Sequence, residues 1–146
     1  MPLPPDFDFM NRKDGRHFLL DENNNLVSCT ILEWASFFSA NPKRRIVEQT
    51  DLDHVYVSTV FLGLDHRWGE GPPLVFETMT FSQERHSVDL GERSTEVRES
   101  FDQWRYSTWD DAVAGHKAAV RREQRKEDEA AAKLAGVMQA RKDAKT

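Results

Sequence analysis

Residues 55–64, VYVSTVFLGL, are apolar at odd and even positions alike, with Ser58 and Thr59 the main interruptions. Successive side chains of a strand face opposite sides of its sheet. A run that is apolar at both parities therefore belongs inside a sheet, with neighbours on each edge. The next apolar run, LVFETMTF at 74–81, alternates Leu74, Phe76, Thr78 and Thr80 with Val75, Glu77, Met79 and Phe81. Two such runs joined by the short loop 65–73 are expected to be antiparallel neighbours. RRIVEQT, followed by the polar turn DLDH, supplies a strand ahead of them, and FDQWRY supplies one behind.

Upstream, RHFLL and LVSC flank the turn cluster DENNN. Asn tolerates left-handed backbone and bonds its own chain, so this segment reads as a hairpin. In TILEWASFFSANP, Thr30 and Glu33 have the spacing of a capping box. Ile31, Trp34, Ala35 and Phe38 then form one helical face, and Asn41-Pro42 ends the helix. A second helix starts near STWDD, where Ser107 with Asp110 and Thr108 with Asp111 are alternative caps. Trp109, Val113, His116 and Val120 mark its sheet-facing side. Beyond Arg121 the apolar face thins to Leu134, Val137 and Met138, while Ala, Lys, Glu and Arg keep the composition helical.

The expected fold is α+β: a small antiparallel sheet of four to five strands packed by a short helix (31–39) and a long C-terminal helix. Residues 1–14 read as an extended arm with Phe7, Phe9 and Met10 as anchors. Residues 15–120 form one domain, with a charged excursion at 82–100 that suits a long hairpin tip or a partly mobile loop. Residues 121–146 form a charged helical tail. The chain's 146 residues suit a single core.

Net charge is −5, which argues against a general nucleic-acid binder, since that requires a basic stripe. Lys43, Arg44 and Arg45, and Arg121, Arg122, Arg125 and Lys126, are local basic groups read as solvated surface. A lone cysteine, Cys29, excludes an internal disulfide and a Cys-rich zinc site, and reads as a small half-buried residue. No apolar run is long enough for a membrane span, and MPLPPDFDF lacks the basic-then-apolar pattern of a signal peptide. A cytoplasmic chain is the expectation.

Chemistry could be sought at Asp65, His66 and Glu77, a His with carboxylates that could hold a metal or act as a base. The remaining histidines, His17, His54, His86 and His116, stand at no ligand spacing. GEGPP lacks the features of a phosphate loop, and its glycines and prolines are expected to shape the turn. Neither a catalytic residue nor a cofactor is assigned. Trp68 is expected to cap one end of the core, with an exposed partner anchor as the alternative. Trp104, Tyr106 and Trp109 are expected to stack near the sheet and the helix start. An aromatic wall receiving a peptide or base is the alternative there. The binding candidates are thus Trp68, His66, Trp104, Tyr106 and Trp109.

At VSTVFLGLDHRWGEGPPLVFETMTF, followed by WRYSTWDDAVAGH, the chain resembles a family of small proteins encoded by tailed bacteriophages and prophages. GRHFLLDENNNLV, LEWASFF, VSTVFLGLDH, PPLVFETM and YSTWDDAVAGH carry the resemblance in order over roughly residues 15–120. It implies a phage origin and expression in the host bacterial cytoplasm, and it brings no activity and no functional residue. The 82–100 excursion and the tail look like additions to that pattern.

The expected function is a non-enzymatic phage accessory protein that binds a protein partner, either a host factor, a host defence component or another phage protein. A metal-assisted hydrolase using Asp65, His66 and Glu77 is the runner-up, and a structural virion component is third. Homo-oligomerisation through an edge strand or the tail is left open.

Overall fold

A computed structural model describes residues 9–145. Phe7 and most of the expected arm lie outside the described residues, and Phe9 is exposed. Strand β1 (Lys13–Leu20) begins inside the span read as an arm and pairs antiparallel with β2 (Leu26–Thr30). The Asp21 carboxylate accepts from the Asn23 and Asn25 amides, at 2.8 and 2.9 Å, and Asn24 adopts φ 61°. The Asp/Asn cluster therefore turns the hairpin by the side-chain-to-backbone bonding that favours these residues in turns.

Helix α1 (Ile31–Ala40) starts with both halves of the capping box. The Glu33 amide donates to Thr30 Oγ1 and the Thr30 amide donates to Glu33 Oε1, each at 3.1 Å. Ile31, Trp34 and Phe38 are half-buried as expected, but Ala35 is exposed and Phe37 is the buried residue of the helix. A phenyl ring that reaches Phe61 at 6.1 Å gains far more contact than an alanine methyl. A 3-10 turn at Pro42–Arg45 follows. Arg44 and Arg45 do not extend into solvent there. Arg44 donates to the Leu20 and Asp21 carbonyls and lies 5.5 Å from the Phe37 ring, while Arg45 lies 5.0 Å from Phe38. Both guanidiniums clasp α1 to its surroundings through their aromatic neighbours.

The larger sheet runs β3 (Ile46–Asp51), β4 (Val55–Phe61), β5 (Phe76–Asp89) and β6 (Ser94–Tyr106), in that order and antiparallel throughout. β4 is internal, as its doubly apolar pattern requires. It ends at Phe61 rather than Leu64, because Gly63 at φ 68° turns the chain toward β1. There the Phe18 amide donates to the Gly63 carbonyl at 2.7 Å and Leu64 pairs with His17, stitching the hairpin to the sheet. β5 and β6 remain paired as far as Asp89 and Ser94, so the 82–100 excursion is an ordered two-stranded ribbon. Its far half has little to bury against: from Glu84 through Thr95 every residue is exposed.

Helix α2 (Trp109–Asp143) begins at Thr108, whose hydroxyl accepts from the Asp111 amide at 3.1 Å; Ser107 is not the cap. Its buried line is Ala112, His116, Ala119 and Glu123, flanked by half-buried Trp109, Val113 and Val120. Both helices cover one face of the sheet. Phe61 and Phe76 meet Phe37, Phe38 and Trp109 at one end, and Val55, Val57 and Ala119 pack at the other. The other face carries Tyr56, Ser58, Val60, Glu77, Met79 and Phe81, all half-buried. Contact with the body continues past the expected boundary at Arg121. The Arg122 guanidinium sits 4.0 Å from the Trp104 ring, and Glu127 accepts from the His54 amide at 2.9 Å. From Asp128 through Lys145 every residue is exposed.

The core between sheet and α2 is polar along one line. Thr59, Thr78 and Thr80 have no exposed surface and His116 is 1% exposed. His116 Nε2 is hydrogen-bonded to Thr50 Oγ1 at 2.8 Å and Nδ1 to Thr59 Oγ1 at 2.7 Å; Thr59 and Thr78 hydroxyls join at 2.6 Å. Along the Thr50–His116–Thr59–Thr78 line each of these side-chain polar atoms has a partner, without which a buried one would cost about 1–3 kcal/mol. Burial holds the His116 imidazole below its ordinary pKa, with Glu48 opposing the shift.

Candidate functional site

The loop leaving β4 is held from inside by one carboxylate. Asp65 is 4% exposed, and its Oδ1 accepts from the amides of Arg67 and Leu74, both at 2.9 Å. Its Oδ2 receives the Arg67 Nε at 2.9 Å. The Asp65 amide donates to the Arg16 carbonyl at 2.8 Å, and the His66 amide to the Leu74 carbonyl at 3.0 Å. Arg67 also donates through its guanidinium to the Gly71 carbonyl. Both feet of the loop and its near side are thereby tied to one buried anion. Burial pushes the Asp65 carboxyl up. The Arg67 and Leu74 amides, with the Arg67 and Arg16 charges, outweigh that push and hold it below the usual carboxylate value.

At the end of this brace stands Trp68, 98% exposed. The expectation that it caps the core is overturned. The brace turns the chain outward at Arg67, and Gly69 and Gly71 continue it at φ 83° and 121°, a path that carries the indole away from the body. A hollow of about 490 Å³ lies beside the loop, lined by Arg16, Leu64, Asp65, His66, Arg67, Trp68 and Arg105. Arg105 reaches it from β6, with its Nε 3.3 Å from Glu77 Oε1. The arginines are the accessible groups. The side chains of Arg67 and Arg105 are 37% and 32% exposed, against 4% and 12% for their partners Asp65 and Glu77.

Asp65, His66 and Glu77 are not gathered into one cluster of potential metal ligands. Each carboxylate is engaged by its own arginine, and no group of three potential metal ligands occurs among the described residues. Of the five binding candidates, Trp68 and His66 line the hollow and the other three do not. Trp104 lies beneath Arg122. Tyr106 packs so closely on Gly115 that a Cβ there would fall 2.1 Å from its ring. Trp109 stands edge-on to Phe76 at 6.2 Å. All three are half-buried, Trp104 and Tyr106 against α2 and Trp109 at its first residue.

Arg16, Arg67 and Arg105 went unmarked in the sequence, although GRH, HRW and WRY set each of them next to His or Trp. Cys29 is fully buried rather than half-buried, and burial pushes its thiol up to about 11, leaving it unreactive at neutral pH. Among the described residues no helix is long and apolar enough to cross a membrane. No protein family, curated protein or solved structure matches the chain.

Proposed function

We propose that the chain is a non-enzymatic binding protein whose partner is another protein, docked on the 65–73 loop. One observation carries this reading: a tryptophan almost wholly in solvent, on a loop tied at both feet to a buried carboxylate. An indole exposes a large apolar area in water, and tryptophan and arginine are the residues that most often dominate protein interfaces. Bracing removes much of the ordering cost that a floppy loop would incur on binding. The phage-family resemblance supplies the setting: an accessory protein acting in the bacterial cytoplasm on a host or phage protein.

The test is affinity purification of the tagged chain from phage-infected bacteria, in parallel with Trp68→Ala. A protein recovered with the native chain and lost with the variant supports the reading. Identical recovery by both chains contradicts it.

A further inference from the structure

The proposed binding role leaves the chemistry of the partner open, and the charges around Trp68 narrow it. The chain as a whole carries −5, yet the hollow beside Trp68 is lined by three guanidiniums and one carboxylate. That carboxylate, Asp65, is buried with both oxygens occupied. Glu77, which holds Arg105, is also largely covered. Arg16 is exposed, and its charge reaches Asp65 without a direct salt bridge among the described residues. An approaching partner meets cations on top and anions beneath. Glu70 is the loop's exposed carboxylate, and it does not line the hollow.

We infer that the surface formed by Trp68, Arg16, Arg67 and Arg105 receives an acidic protein segment carrying one apolar or aromatic side chain. This inference rests on the binding reading above. The apolar group packs on the indole, and the carboxylates meet the guanidinium N–H groups that Asp65, Glu77 and the Gly71 carbonyl leave free. Because Arg67 and Arg105 are held by Asp65 and Glu77, their positions are set before the partner arrives. A single-stranded nucleic acid would use similar groups, stacking bases on the indole. It would also need a basic groove tracking its backbone, whereas this patch is small and set on an acidic protein.

The experiment uses the full chain on an array of synthetic twelve-residue peptides. Each peptide carries one central Phe or Leu, and net charge is graded from strongly negative to strongly positive. An oligothymidylate of the same length is the nucleic-acid arm. Retention is expected to concentrate on the acidic peptides, to fall about thirtyfold with Trp68→Ala, and to fall about tenfold with Arg16→Glu. Glu70→Gln is expected to raise it slightly. Retention that ignores charge or favours basic peptides overturns the inference, as does tighter binding of the oligothymidylate or no retention at all. If neutral or basic peptides are retained and Trp68→Ala abolishes that retention, the acidic partner is lost while protein binding through this loop stands.

Discussion

Among the regions that leave large apolar side chains in water, the 65–73 loop and the distal half of α2 do so in opposite ways. The 65–73 loop holds up Trp68 on a buried carboxylate that accepts two amides and an arginine. The distal half of α2 carries Leu134, Val137 and Met138 on a stretch that is exposed at every residue from Asp128 through Lys145. A helix of Ala, Lys, Arg and Glu can persist on propensity, but at its free end it is only marginally stable in water. The loop has poor intrinsic propensity and is held by the body. Exposure alone therefore says little about function; exposure that the fold maintains at the cost of a buried charge says more.

The largest expected effect is at the joint where the loop's strand leaves the sheet. An added Cβ at Gly63 would lie 2.6 Å from the Phe18 carbonyl oxygen and 2.6 Å from Trp34 Nε1, at a φ of 68° that L-residues avoid. Gly63→Ala should cost more than about 3 kcal/mol in chemical denaturation. Leu134→Ala, on the unbraced helix, should stay within about 0.5 kcal/mol of the native chain. Equal costs would break the comparison.

Asp65→Ala comes next. It strands the Arg67 and Leu74 amides and leaves the Arg67 side chain without its anion, so a loss of about 2–4 kcal/mol is expected in the same measurement. Because its folded-state pKa is depressed, the Asp65 contribution is present above the unfolded value near 3.8 and is lost as pH falls below it.

His116 sharpens the contrast between the two halves of α2. Its folded pKa lies below the ordinary 6.5, so the neutral ring belongs to the folded state and protonation favours unfolding. Stability is complete above that value and declines as pH falls through it. Thermal midpoints should be lower at about pH 5.5 than at about pH 7.5. That difference should shrink in His116→Gln. The smallest effect is expected from ending the chain after Glu129. The removed residues are exposed throughout as far as Lys145, so the thermal midpoint should move by no more than a degree or so.

Much of the scaffold was legible because its signals are periodic. β4 announces itself by apolar residues at both parities, α1 by its capping box, and β5 by alternation that the burial of Phe76, Thr78 and Thr80 repeats. The site was less legible because loops have no period. In the sequence Asp65 reads as a carboxylate that could join His66 in a metal or base site, whereas its position two residues before an amide from which it accepts is the mark of a turn-forming aspartate. Trp68 looked like core because most large aromatics are buried. Which way an indole points depends on the brace beneath it, and that brace draws Leu74 from the far side of the loop. The Thr50–His116–Thr59–Thr78 line was hidden for a related reason. Its members come from four elements, and only their pairing register brings the hydroxyls together.

The claim on which the rest depends is that Asp65 holds Trp68 still while leaving it in water. Backbone amide relaxation at residues 66–70 tests it directly, with residues 128–143 of α2 as the internal contrast. Order parameters of about 0.8 or above are expected across the native loop, dropping below about 0.6 in Asp65→Asn, with the strands unchanged in both. A native loop already below about 0.6, or one equally ordered without the carboxylate, would contradict it.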